Sequence, residues 1–161
     1  MPLTLSGDIA GLGKVVQIVR ATDSTSRSTT SSTFVDVTGM SVTITPQKND
    51  SAILLIATFY AGVTTSGGGY TSWFSKYSIT DSSNNAISGA EGATTGSGIA
   101  APGVSAPEEL QHVTLVGYAT PATTSATTYK LRFRSSLASF VTAFVYNASN
   151  TGQMYAIEVA A

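Results

Sequence analysis

The chain has 161 residues, no cysteine, one histidine and a formal net charge of -1. That length suits one domain with a real core and is short for two. The missing cysteines exclude disulfide staples and thiolate chemistry, and the near-neutral charge speaks against a nucleic-acid binder held by bulk electrostatics. Only 11% of the residues are charged, against ~25% in ordinary soluble domains, while Ser and Thr supply more than a quarter of the chain. Thr suits strands and Ser suits turns, so this composition predicts an all-β protein.

Residues 1–13 contain Gly7, Gly11 and Gly13 and hold no period, which reads as an arm that docks elsewhere through Leu3, Leu5, Ile9 and Leu12. Neither a basic region nor an uninterrupted apolar run opens the chain, so no signal peptide is evident and synthesis in the cytoplasm is expected. The run Gly7-Asp-Ile-Ala-Gly-Leu-Gly-Lys14 is one residue too long for a phosphate loop, and Val15 stands where Ser or Thr would bind magnesium. Nucleotide binding is rejected.

A first strand is predicted over 15–20, followed by a Ser/Thr connection over 22–33. Residues 34–37 form a short strand, Gly39 separates it from a clean alternation over 40–45, and Pro46 ends that strand. Residues 52–63 are dense in Ile, Leu, Phe and Tyr, as in a strand covered on both faces or lying at a subunit contact. The longest apolar run, 52–57, is far too short to cross a bilayer. After the turn at 66–69, the strand at 70–80 places Trp73, Tyr77 and Ile79 on one face. Residues 81–85 read as a hairpin connection, and the Gly, Ala, Ser and Thr of 89–107 as a long loop, either functional or disordered. Strands resume at 112–119, 129–135, 140–146 and 153–160.

The clearest signal is the strand at 129–135. Tyr129, Leu131 and Phe133 point one way and Lys130, Arg132 and Arg134 the other, so a slip of one residue would bury three cations. About nine or ten short strands and no convincing helix give an antiparallel β-sandwich or jelly-roll built from residues 14–161.

Candidate chemistry is sparse. Asp81, Ser83 and Asn85 imitate the start of a calcium loop, but Ala86 replaces the turn glycine and Gly92 the bidentate Glu, so turn chemistry is the better reading. His112 with Glu108 and Glu109 lacks the partners of an acid-base or metal site. Lys130, Arg132 and Arg134 are candidate contacts for anionic groups, with a solvated face or pairing with acids across a subunit boundary as the plainer account. Trp73 and Tyr70 are candidate sugar-stacking residues, with core packing as the plainer account. Asn49-Asp-Ser51 and Asn147-Ala-Ser149 match the glycosylation triplet and carry little weight without a secretory signal. No catalytic residue, metal or cofactor is expected.

Three segments together carry a resemblance: Thr33-Phe-Val-Asp-Val-Thr-Gly-Met-Ser-Val-Thr-Ile-Thr-Pro46 with Ala52-Ile-Leu-Leu-Ile56, then Thr120-Pro-Ala-Thr-Thr-Ser-Ala-Thr-Thr-Tyr-Lys-Leu-Arg-Phe133, then Met154-Tyr-Ala-Ile-Glu-Val-Ala-Ala161. They resemble a module of tailed bacteriophages found in tail-fibre-like and other virion appendage proteins, and Leu3-Thr-Leu-Ser-Gly7 resembles the start of many such proteins. The resemblance implies a virion structural protein, a homotrimer of β-sandwich subunits that is not an enzyme. Its implied partners are copies of itself, a tail or major capsid protein, and a host surface glycan, with no nucleic acid or membrane. The chain has no repeat-rich shaft, which leaves a short tail fibre and a capsid decoration protein both open. A polysaccharide-degrading appendage would need paired acids at defined separation, and the nine acids here are scattered.

Overall fold

Two-residue alternation is clearest in β8, β9 and β10 of this protein, where buried and less buried residues follow one another. The computed structural model describes residues 13–66, 72–98, 104 and 107–160 and contains ten strands, with no helix among the described residues. They are β1 (Val15–Asp23), β2 (Ser26–Thr29), β3 (Val35–Ile44), β4 (Ala52–Thr65), β5 (Ser72–Asp81), β6 (Ala86–Ser97), β7 (Glu109–Ala119), β8 (Thr127–Ser135), β9 (Val141–Tyr146) and β10 (Gly152–Val159). All pair antiparallel, in a six-stranded sheet ordered β1-β10-β4-β9-β2 with β7 also on β4, and a four-stranded sheet ordered β3-β8-β5-β6. The expected β-sandwich is what forms.

The strand β4 organises the larger sheet. Its residues 53–63 pair with β7 along one edge, while β10 pairs with 52–58 and β9 with 61–65 along the other. So β9 and β10 lie end to end, and β1 and β2 lie end to end beyond them. The six strands thus make four rows.

The two sheets close on the side chains that alternation sends inward. Met40, Val42 and Ile44 of β3, Ile53, Leu55 and Phe59 of β4, Tyr77 and Ile79 of β5, and Met154 of β10 are all buried. Tyr129, Leu131 and Phe133 of β8 join them, and Lys130, Arg132 and Arg134 face outward, as the alternation predicts. Each large apolar side chain so buried contributes about 1.5–3 kcal/mol. Tyr77 also stitches the sheets together: its hydroxyl donates to the Phe144 carbonyl at 2.9 Å and accepts from Ser75 Oγ at 2.8 Å. Burial pushes its phenol up to about 12, so it remains a donor.

Where the rows break, a polar knot replaces the ladder. Asp23, the last residue of β1, accepts from Asn147 Nδ2 at 2.7 Å and from both Arg27 Nη atoms. Burial alone would raise the Asp23 carboxyl, but the hydrogen bonds from Arg27 and Asn147 outweigh it and hold the group below the ordinary carboxylate range. Gly39 passes directly over this knot with φ +97, and a Cβ there would lie 2.5 Å from Asp23 Oδ1. The glycine lets β3 bulge, shifting its register on β8 between Asp36 and Ser41. A second buried acid, Glu158, clamps the β3–β4 connection by accepting from the Gln47 backbone N–H at 2.8 Å and Gln17 Nε2 at 2.6 Å.

Four expectations change here. The Ser/Thr connection holds β2, a short strand whose backbone pairs with β9. Residues 34–37 and 40–45 belong to one strand, β3, because the bulge at Gly39 lets pairing continue. The strand β4 is not covered on both faces: Leu54, Ile56, Thr58 and Tyr60 alternate with buried neighbours and stay half-exposed. The long loop expected over 89–107 is, through Ser97, the edge strand β6. Its small residues are a packing requirement, since a Cβ at Gly96 would sit 2.2 Å from Trp73 Nε1. Residues 99–103 and 105–106 lie outside the described residues.

Two measurements check this account. Gly96→Ala should lower unfolding stability by about 1–3 kcal/mol in urea titration, because the indole has to leave its seat; an unchanged midpoint would contradict that packing. Asp23 and Glu158 both titrate below their unfolded values, near 4, so their stabilisation is complete above about pH 4–5 and fades as pH falls through the depressed folded values. Glu158→Gln and Asp23→Asn should each flatten this acid limb of the stability curve.

Candidate assembly face

The outer sides of the two sheets differ sharply, and register defines each. Across the six-stranded sheet, paired residues form outward rows: Ile18, Ile157, Leu54 and Tyr118, then Arg20, Tyr155, Ile56 and Val116. A polar row of Thr22, Gln153, Thr58 and Thr114 follows. Beyond it lies an aromatic group in which Tyr60 meets His112 at 4.9 Å between ring centroids and Phe144 stacks on Tyr146 at 5.1 Å. Ile18 and Tyr118 are each 60% exposed, Val116 is 51% and Leu110 is 45%. Arg20 is the one charged residue in these rows, and its guanidinium lies 5.8 Å from the Tyr155 ring centre.

At the rim of this face Tyr146 donates to Glu108. Burial and the Glu108 carboxylate together push the Tyr146 phenol well above its ordinary value. Glu109 begins β7, where alternation sends it and His112 to opposite faces, while Glu108 stays at the Tyr146 rim on the His112 side.

The outer side of the four-stranded sheet carries charge instead. Lys130 Nζ and Arg132 Nε donate to the two oxygens of Asp36 at 2.9 and 2.8 Å, and Arg132 also donates to the Phe34 carbonyl at 2.7 Å. Burial would lift the Asp36 carboxyl, and the hydrogen bonds from Lys130 and Arg132 pull it down further than burial raises it. Arg134 lies 5.5 Å from the Phe34 ring centre and donates to the Ser135 carbonyl. Within the chain, Asp36 is the acid that Lys130 and Arg132 meet.

Trp73 is 2% exposed and packs with Val63 and Val141, so it presents no ring face to a sugar and core packing accounts for it. Tyr70, Leu3, Leu5, Ile9 and Leu12 lie outside the described residues. Asp81 holds a turn: its Oδ1 accepts from the Ser83 and Asn85 backbones at 2.9 Å each. Asn147 is fully buried on Asp23, which removes it as a glycosylation acceptor. Among the described residues no group of three or more His, Cys, Asp or Glu is placed to hold a metal, and no helix is long and apolar enough to cross a membrane.

Sequence reading did not single out the apolar rows as a site. Their signal was present in β7, where Val113 and Leu115 alternate with Val116 and Tyr118, so both sides of the strand are apolar.

No family model matches this sequence, and no curated protein is similar to it. Solved structures with a distant likeness include the VP2 subviral particle of infectious bursal disease virus, at 15% identity and TM-score 0.33, covering 90% of this chain and 38% of that one. The Gx strain of the same virus gives 15% identity and TM-score 0.32 over 91% and 39%. T=1 particles derived from that virus give 13% and 0.34 over 89% and 36%. The chain spans less than two fifths of the length of these structures.

The Asp36 ion pairs are exposed enough to be screened, so Asp36→Asn should cost under about 1 kcal/mol in low salt and less at high salt. A larger, salt-independent loss in a melting series would show that the pairs do more than tie β3 to β8.

Proposed function

We propose that the protein is a non-enzymatic virion structural protein, a short tail-fibre-like or surface appendage subunit that assembles as a homotrimer through the outer face of its six-stranded sheet. The apolar rows of that face carry the reading. Four rows about 4.8 Å apart and the length of β4 give a face on the order of 900 Å², close to the ~800 Å² each partner contributes to a standard interface. Within it two adjacent apolar rows, Ile18-Ile157-Leu54-Tyr118 and Tyr155-Ile56-Val116, lie side by side, which is more than the singly scattered apolar residues that need no explanation on a monomer.

The charge pattern supports copies of the same chain as partners. Arg20, already set against Tyr155, is the one charge in the central rows, so three copies converging on this face would meet little like-charge opposition. The polar row of threonines and Gln153 fits the mixed character of assembled surfaces. In this reading residues 1–13 dock on the particle and the charged sheet faces outward. The non-enzymatic part of the proposal draws on the acids: Asp23, Asp36, Asp81 and Glu158 are each engaged in holding the fold.

Sedimentation equilibrium tests the reading. The unmodified chain should show a three-chain mass, Val116→Glu on the apolar face should shift it to monomer, and Thr43→Glu on the charged sheet should leave it unchanged, with melting curves confirming that both variants fold. A monomeric unmodified chain at high concentration would overturn the proposal.

A further inference from the structure

Lys76, Lys130, Arg132 and Arg134 stand on the outer side of the four-stranded sheet, and two of them lack an anion. Asp36 answers Lys130 and Arg132 from within the chain. One row along, Lys76 of β5 stands directly opposite Arg134 of β8. No acid among the described residues lies within ion-pair distance of either. On the other flank Glu91 of β6 is set opposite Ser78, one row off, and forms no ion pair among the described residues. Like charges that face each other across a ladder, with Cβ atoms about 4.5–5.5 Å apart, destabilise the strands that carry them.

Aromatic rings hold both cations in place. The Arg134 guanidinium lies 5.5 Å from the Phe34 ring centre and 6.0 Å from that of Phe74, and its Nη1 donates to the Ser135 carbonyl at 3.2 Å. Lys76 Nζ lies 5.7 Å from the same Phe74 ring centre and makes no hydrogen bond among the described residues. The two charges therefore share one ring. Beside them Ser136 Oγ accepts from the Phe74 backbone N–H at 3.1 Å, which leaves its own proton to be donated outward.

We propose that Lys76, Arg134 and Ser136 bind a phosphate or sulfate group. The three side chains offer donors, so the group that completes them is made of acceptors and carries enough negative charge to offset both cations. A phosphate ester brings about -1.5 to -2 charges near neutral pH and three acceptor oxygens, whereas a carboxylate offsets one cation and a neutral ligand neither. Of the three cations weighed from the sequence, Arg134 alone takes part, and the register of β5 on β8 supplies Lys76 as the second. The site is built from one chain and lies on the sheet opposite the apolar rows, so it does not depend on the assembly reading.

Amide NMR titration of the full chain at matched, low ionic strength provides the test, with inorganic phosphate, phenyl phosphate, sulfate, acetate and chloride as probes. Saturable shifts confined to residues 74–76 and 134–136 are expected with both phosphates and with sulfate, weaker ones with acetate and none with chloride. Lys76→Gln, at an exposed strand position, should weaken phosphate binding roughly 10- to 100-fold, the range of a charged hydrogen bond. Lys14→Gln removes the same charge elsewhere and should leave binding unchanged, with melting curves showing that both variants fold. Tighter binding of phenyl phosphate than of the inorganic ion would support an ester on a larger molecule as the source, and the reverse would support the free ion. No saturable shift, an equal response to acetate or chloride, or undiminished binding by Lys76→Gln would overturn the proposal, whatever the mass of the assembly.

Discussion

The larger sheet depends on the backbone of β4. Fourteen residues long, it hydrogen-bonds to β7 on one side and to the end-to-end pair β9 and β10 on the other, so three strands take their register from a single one. Because side chains alternate, setting that register also sets which residues of β7, β9 and β10 face the core and which face out. The buried layer of Ile53, Leu55 and Phe59 and the outer rows through Leu54 and Ile56 are two sides of the same constraint. A β4 that satisfies the core thereby decides which residues of its neighbours lie beside Leu54 and Ile56 on the exterior.

Charge is scarce in this chain and is placed where the hydrogen-bonded ladder fails. Asp23 and Arg27 fill the break between β1 and β2, Glu158 ties down the chain reversal before β4, and Asp81 builds the β5–β6 turn. Asp36 gathers Lys130 and Arg132 beside the bulge of β3. Charged hydrogen bonds at such points are stronger than neutral ones and satisfy backbone donors that no neighbouring strand reaches. In the central rows of the six-stranded sheet's outer face only Arg20 carries charge.

The sequence revealed most where one face of a strand differs chemically from the other. In β8 the contrast of Tyr129, Leu131 and Phe133 with Lys130, Arg132 and Arg134 gave both the strand and its orientation, and Trp73, Tyr77 and Ile79 did the same for β5. It revealed least where packing demands small residues. Nothing local in β6 distinguishes a loop from a strand, because the large partner, Trp73, sits on the neighbouring strand. The four residues of β2 likewise owe their conformation to the edge of β9. The apolar exterior was half legible: the density of β4 suggested it, but recognising a face required the register that joins Ile18, Ile157, Leu54 and Tyr118 across four rows.

The seat of Trp73 gives the molecule an optical reporter of its own. The chain holds a single tryptophan, and its indole is enclosed by Val63, Val141 and the bare backbone of Gly96, away from water. Fluorescence from so dry a site lies at short wavelength and moves red on wetting, and β5 carries that site some eight residues, roughly 26 Å, from Asp81. Emission therefore watches one pole of the sandwich, so loosening of the tryptophan end can be followed by light alone without a label.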